Sequence, residues 1–154
     1  MHMRLSVFLV LALAVAACGG KSTSDTTAPS AGSAADTRTL YERLGGTPAI
    51  TAVVKRFVEV TGADPRISMF FTNVDVARLE AMMVEHICEL TGGPCKYTGK
   101  SMKESHTGMK VREEHFAAFM DDLGKTLDEF KVGAREKGEV LAAFESLKGD
   151  VVEP

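Results

Sequence analysis

The chain has 154 residues, of which 45% are hydrophobic and 25% charged, and its formal net charge is −3. A chain of this size and composition holds one folded domain of ordinary soluble character. No basic block stands out in the sequence, which argues against nucleic-acid binding. Aromatic residues make up only 6% of the chain and tryptophan is absent, so we expect a core of aliphatic residues, Phe and Met.

Residues 1–17 have the pattern of an export signal. Arg4 gives a positive start, and Leu5 to Ala17 is an uncharged apolar run. This run is shorter than the roughly 20 residues that a membrane-spanning helix needs. Small residues then precede Cys18 in a pattern that resembles the bacterial lipobox, in which the cysteine is lipidated. An ordinary signal with a chance cysteine, or an uncleaved anchor, is the alternative.

The residues after Cys18 are expected to form a tether. Residues 18–39 consist mostly of Gly, Ser, Thr, Ala and Pro, which cannot bury an apolar face and therefore predict disorder. Gly19 differs from the Asp that retains lipoproteins at the inner membrane. The lipobox resemblance therefore implies a lipid anchor in the cell envelope, at the outer membrane and facing the periplasm.

Residues 40–152 are predicted to form one all-α domain. Apolar residues recur at helical spacing, and no alternating strand pattern is present. A short first helix should end at Gly45-Gly46, and Thr47 should cap a second helix that begins at Pro48. The apolar faces of the successive helices contain Ile50, Val53, Val54, Phe57 and Val58, then Leu79, Met82, Met83, Ile87 and Leu90, then Phe116, Phe119, Met120, Leu123 and Leu127, and finally Leu141, Phe144, Leu147 and Val151.

Further signals divide the second half of the domain. Asp75 can cap the helix that carries His86, and Gly92-Gly93-Pro94 should end it. A short turn over Met102–His106 is then bounded by Gly108. Helices are the only elements in this pattern, so they must pack on one another.

Three histidines lie in the domain. His106 occupies a short segment between two glycine breaks, a position that suits a single axial metal ligand. His86 lies on an apolar helix face, where its polar ring needs a partner. His115 starts a helix, and we expect it at the domain surface. No histidine or cysteine pair has the spacing of a zinc site or of covalent haem attachment.

Lipidation of Cys18 would leave Cys88 and Cys95 as the remaining cysteines. An exported protein meets an oxidising compartment, in which two thiols can pair. The short separation of these residues can close into a disulfide but need not, so two free thiols remain the alternative.

Six stretches of the domain, in order, resemble group I truncated haemoglobins. They are Leu40–Ile50, Phe70-Phe71, Gly92-Gly93-Pro94, Tyr97-Thr98-Gly99, Met102 with His106-Thr107-Gly108, and His115-Phe116. The match runs nearly without gaps from residue 40 to about 127 and loosely to about 150. This resemblance implies a two-over-two helical sandwich around one b-type haem.

The resemblance also implies roles for single residues. His106 matches the proximal iron ligand, and Phe71 matches the Phe that packs on the haem ring. The other residues implied to line the haem pocket are Leu79, Met82, Met83, Tyr97, Met102, Val111, Phe116 and Phe119.

The distal side departs from the family pattern. Val58 stands where many members have a Tyr that donates to dioxygen, and Met82 and Met83 stand where relatives often have Gln or another polar residue. Loss of such a donor weakens oxygen retention. His86 could compensate by donating to a ligand, by ligating the iron or by binding a haem propionate. Alternatively, it packs and bonds an internal carbonyl.

The sequence therefore predicts an exported, membrane-tethered haem protein that binds the diatomic gases O2, CO and NO. The alternative is a haem enzyme that detoxifies nitric oxide or peroxide with electrons from a separate, unidentified redox partner. A third hypothesis is a haem-free Cu(I) site at Met82, Met83 and His86. We give it little weight, because Met at helical spacing usually belongs to the core.

Overall fold

The computed structural model describes residues 36–154, and every regular element in that range is a helix. The α-helices are α1 (Leu40–Arg43), α2 (Gly46–Ala63), α3 (Val76–Leu90), α4 (Met102–His106), α5 (Glu113–Glu129), α6 (Ala134–Glu145) and α7 (Lys148–Val151), with a 3-10 helix at Ser68–Phe71 between α2 and α3. The predicted all-α fold is confirmed. Within residues 36–154, no helix is both long enough and apolar enough to cross a bilayer.

The predicted export signal, Cys18 and most of the predicted tether lie outside the described residues. The last tether residues already belong to the folded domain, because Thr39 caps α1. Its Oγ1 accepts from the backbone N of Glu42 at 3.2 Å, and its own backbone N donates to the Glu42 carboxylate at 2.8 Å. This reciprocal pair satisfies the free donors at the start of a four-residue helix.

Arg43 ties α1 to α6. Its side chain is only 7% exposed, and its Nε donates to Glu136 at 3.0 Å while its Nη2 contacts Glu139. Two carboxylate partners supply the hydrogen bonds that a buried guanidinium requires. The short α1 is therefore fixed by contacts far away in sequence.

The prediction that Thr47 caps α2 is wrong. The helix begins at Gly46, and its N-cap is Gly45, whose φ of 95° lies in the left-handed region. The hydroxyl of Thr47 is instead hydrogen-bonded to the Tyr41 hydroxyl at 2.9 Å, and the backbone N of Thr47 donates to the same Tyr41 oxygen at 3.1 Å. Because Thr47 is hydrogen-bonded to Tyr41 and the chain turns at Gly45, the helix starts earlier than predicted. Pro48 is therefore the third residue of α2.

The core lies where α2 packs on both α3 and α5, and α5 packs in turn on α6. Phe57 of α2 meets Phe119 of α5 edge-on, with ring centroids 4.9 Å apart. The buried residues of this core are Ile50, Val54, Phe57, Val58, Ile87, Leu123, Leu127, Val140 and Phe144. Two helix pairs, α2 with α3 and α5 with α6, thus form the two layers.

α3 begins and ends where the sequence predicts. The Asp75 carboxylate accepts from the backbone N of Arg78 at 3.0 Å and caps the first turn. In the last turn of α3, Cys88 is joined to Cys95 of the following loop by a disulfide with a Cα–Cα distance of 5.7 Å. Gly93 lies inside this loop, and a Cβ there would come within 2.6 Å of the Cys88 sulfur. Only glycine fits at that close approach.

The predicted last helix, from Leu141 to Val151, is interrupted in the structure. α6 ends at Glu145 and α7 starts at Lys148. The Ser146 hydroxyl donates back to the Ala143 carbonyl at 2.6 Å, a local bond that competes with continuation of the helix. Beyond the break, α7 packs against α4.

Candidate functional site

His106 is the last residue of α4, a helix of only five residues. Ser101 and Glu104 form a capping box at its start, with Glu104 N donating to Ser101 Oγ at 3.2 Å and Ser101 N donating to Glu104 Oε2 at 3.0 Å. The Nδ1 atom of His106 lies 2.7 Å from the Met102 carbonyl oxygen. A carbonyl can only accept, so Nδ1 is the donor of this bond, and in the neutral imidazole Nε2 then has the lone pair. This is the arrangement of a histidine that ligates a metal through Nε2.

α3 and α4 are each held by a different element. α3 packs against α2, and α4 packs against α7. Among the helices of residues 36–154, α3 and α4 are not a closely packed pair. The resemblance assigns these two helices to opposite sides of a haem. A flat group can lie between two helices only if they do not pack directly on each other, and α3 and α4 meet this condition.

A cavity of about 420 Å³ lies beside the start of α3. It brings together Phe71 and Leu79, two of the predicted pocket residues, with Val58 of α2. The other lining residues are Gly62, Ser68, Met69, Thr72, Val74 and Val76. Sequence reasoning missed Ser68 and Thr72, whose hydroxyls are the polar side-chain groups of this wall.

The remaining predicted pocket residues divide between core and half-buried positions. Val111 is 6% exposed and Phe116 is 5% exposed. Phe119 is half-buried and packs against the core, with its ring 4.9 Å from that of Phe57 and 5.8 Å from that of Phe144. The other half-buried ones are Leu79, Met82, Met83, Tyr97 and Met102. These last residues have the apolar surface, not fully covered by the chain itself, that a haem would bury.

His86 lies against Tyr97, with ring centroids 4.7 Å apart. Burial lowers the pKa of His86, and the nearby Glu89 opposes this only in part, so the imidazole is neutral at neutral pH. The Tyr97 hydroxyl donates to the Lys100 carbonyl at 2.8 Å. The ring of Tyr97 therefore contacts His86, while its hydroxyl is hydrogen-bonded to the backbone.

Two glutamates of α3 that sequence reasoning missed hold the following loop in place. The Glu89 carboxylate accepts from Tyr97 N at 3.2 Å, and the Glu85 carboxylate accepts from Thr98 Oγ1 at 3.0 Å. They look like ordinary surface residues in the sequence, because the loop that they bind becomes a neighbour only after folding.

His115 is half-buried in the first turn of α5. Its Nδ1 accepts from Arg112 N at 3.0 Å, and its ring lies 5.0 Å from that of Phe70. It therefore closes the first turn of α5. Within residues 36–154, no group of three or more His, Cys, Asp and Glu side chains is placed to hold a metal ion.

A sequence profile described as bacterial-like globin matches residues 39–153. The chain belongs to this family. A group 1 truncated hemoglobin from Tetrahymena pyriformis is 35% identical over 115 residues, which cover 75% of this chain and 95% of that protein. Another, from Synechocystis, is 39% identical over 108 residues, covering 68% of this chain and 87% of the relative.

Solved structures show the same fold. The Fe(III) form of the Tetrahymena pyriformis truncated hemoglobin superimposes with a TM-score of 0.73 at 34% identity, covering 76% of this chain and all of that one (100%). The 2/2 hemoglobin of Synechococcus, in the cyanomet state and with covalently attached heme, has a TM-score of 0.71 at 30% identity and covers 75% and 98% of the two chains. This globin is thus a group I truncated haemoglobin with the two-over-two fold, and its family implies haem binding and gaseous ligands in general.

Proposed function

We propose that this truncated haemoglobin binds one b-type haem through His106 and takes up O2, CO or NO. One observation carries the proposal: the 2.7 Å bond from His106 Nδ1 to the Met102 carbonyl fixes the ring and leaves Nε2 free. A haem held there would supply an iron atom with one axial position for a diatomic ligand. Phe71, Leu79 and Met102 are the apolar residues that we assign to holding the ring.

The distal residues favour ligands that need no hydrogen-bond donor. Val58 and Leu79 share the cavity wall, and Met82 and Met83 follow on α3. None of these four side chains has an N–H or O–H group. Dioxygen depends on a distal donor for its retention, whereas carbon monoxide depends on one much less. We therefore expect fast oxygen dissociation together with comparatively tight carbon monoxide binding.

His86 and Met82 are the two residues that could alter this selectivity. A neutral His86 has one ring N–H to donate and one free lone pair, and its thioether neighbour Met82 could also ligate iron. Contact with Tyr97 holds the His86 ring in place. Reversible gas binding needs no electron donor, whereas turnover of nitric oxide or peroxide would require a separate redox partner.

The test combines stopped-flow oxygen dissociation with the ferrous, ligand-free absorption spectrum. Wild type, His86→Leu and Met82→Leu are compared, and Met69→Leu serves as the control because Met69 is 56% exposed at the edge of the cavity. Fast release in the wild type and in all three variants supports an apolar distal side. Slow release that persists in His86→Leu would contradict it and would implicate Ser68 or Thr72. A six-coordinate spectrum that one variant loses would identify the internal ligand.

The same proposal includes export and anchoring of the domain through a lipidated Cys18. It is supported by the apolar run that ends in small residues immediately before this cysteine. Mass spectrometry of the membrane fraction should find an acylated Cys18 at the mature N-terminus. A chain with its unprocessed Met1 in the soluble fraction would contradict this part of the proposal.

A further inference from the structure

Glu153, near the end of the chain, contacts the loop that follows His106. One carboxylate oxygen, Oε1, accepts from Gly108 N at 2.6 Å and from Lys110 N at 3.2 Å. The backbone N of Glu153 donates to the Val111 carbonyl at 2.8 Å. Three hydrogen bonds from one residue thus hold the segment from Gly108 to Val111.

The backbone of this loop is shaped for an anion. Gly108 has φ = 87° and Lys110 has φ = 56°, so both lie in the left-handed region. This conformation is unfavourable for lysine and persists only where the surroundings enforce it. Converging backbone N–H groups in such turns form a concavity that binds negatively charged oxygen. Here the occupant is a carboxylate of the same chain.

The stability of α4 depends on contacts with other parts of the chain. Five residues are too few to form a stable helix alone, and the element that packs closely on α4 is α7, which ends two residues before Glu153. The loop is coupled to the histidine, because Met109 N donates to the His106 carbonyl at 3.0 Å. A displacement of the loop would therefore move the backbone that carries the imidazole.

We propose that Glu153 is a positioning residue for His106, acting through the backbone of residues 108–111. This rests on the proposed role of His106 as the haem ligand. Glu153 itself need not touch the haem, so its effect should appear in the strength of the iron–histidine bond and in haem retention, with the selectivity among gases unchanged.

Three variants of the haem-loaded protein test the inference. Glu153→Ala removes the acceptor, and Glu153→Gln keeps an acceptor oxygen without the charge. Glu114→Ala is the matched control, because Glu114 lines the same surface crevice as Glu153 but pairs with Arg112. The readouts are haem transfer to a scavenging apoglobin, the iron–histidine stretching band, and amide exchange at Gly108 and Lys110.

We expect Glu153→Ala to speed haem loss about five- to tenfold, since hydrogen bonds to a charged group are the stronger class. Its iron–histidine band should shift or broaden, and both amides should exchange faster. Glu153→Gln should be intermediate, and Glu114→Ala should match wild type. Faster amide exchange with unchanged haem loss and an unchanged band would overturn the inference, as would amides that do not respond.

Amide exchange in the haem-free protein separates this inference from the proposed function. The contact between Glu153 and the loop predicts protected amides at Gly108 and Lys110 whether or not haem is bound. If His106→Ala keeps its haem, the role of His106 fails, and the positioning role of Glu153 fails with it. If His106→Ala loses haem and Glu153→Ala behaves as wild type, only the inference about Glu153 is overturned.

Discussion

The two helices that carry the site are held in place by different forces. α3 has 15 residues, buries Ile87 and Cys88 in the core, and is joined to its following loop by a disulfide. α4 has five residues, none of them fully buried, and is held by a capping box and by α7, while Glu153 binds the loop that follows it. α3 is thus fixed by burial, whereas α4, which carries His106, is fixed by polar contacts and by α7. Substitutions on α3 should therefore change how a ligand is bound, and substitutions around α4 should change the position of His106.

The largest effect is expected from placing an amide donor at position 79, in the cavity beside the start of α3. Leu79→Gln places an amide N–H beside Val58 and Phe71, and it should slow oxygen dissociation by about tenfold, since a hydrogen bond to a charged group contributes roughly 1.5–3 kcal/mol. Leu79→Met is the volume-matched control and should release oxygen as fast as wild type. Equal rates in Leu79→Gln and wild type would mean that Leu79 does not face the ligand.

Gly93→Ala tests how tightly the end of α3 is fixed. The new Cβ would lie 2.6 Å from the Cys88 sulfur and 2.6 Å from the Tyr41 ring, and overpacking of this kind should cost about 1–3 kcal/mol of unfolding free energy. Gly138→Ala on α6 meets nothing within 4 Å and should stabilise by up to about 1 kcal/mol. Urea unfolding measures both. Similar changes in unfolding free energy for the two variants would show that the loop between Cys88 and Cys95 can shift to accommodate the new Cβ.

The disulfide should contribute about 2 kcal/mol, because its closed loop is short. Replacing both Cys88 and Cys95 by Ser should lower the unfolding free energy by that amount. Amide exchange should rise at the end of α3 and stay unchanged in α4. Reductant should reproduce the loss in wild type and have no effect on the double variant. A wild type that is indifferent to reductant, with two reactive thiols, would rule the bridge out.

The smallest effect concerns His86 and pH. Burial lowers its pKa from the ordinary value of 6.5, so the folded protein binds fewer protons than the unfolded chain in the window just below 6.5. Stability should therefore fall as pH drops through this window. His86→Leu and His86→Gln should both lose that dependence, and unfolding measured from pH 7 to pH 5 tests it. If the unfolding free energy still falls with pH in both variants, the dependence comes from another titratable group and not from His86.

The sequence predicts α2 and α3 better than it predicts the contacts that hold α4. Helical spacing locates α2 and α3, because burial of an apolar face sets both the pattern and the fold. Asp75 could be identified as a cap from its position alone. Thr47 could not be excluded as one, because its partner Tyr41 competes only in the folded chain.

The contacts that hold the segment around His106 also could not be predicted from the sequence. The resemblance points to the histidine itself, and the short segment that carries it is visible between two glycines. Glu153 lies more than forty residues away in sequence, and nothing local marks it as a partner of Gly108. Polar contacts between distant segments leave no periodic signal, whereas burial does.

The proposed role of His106 as the haem ligand is best tested by His106→Gly. Haem affinity and the ferrous absorption spectrum are measured with and without added imidazole, and His86→Leu is the control that should keep its haem. We expect His106→Gly to lose most of its haem, and added imidazole to restore both haem binding and a spectrum like that of wild type. Full haem retention with an unchanged spectrum and no imidazole would contradict it.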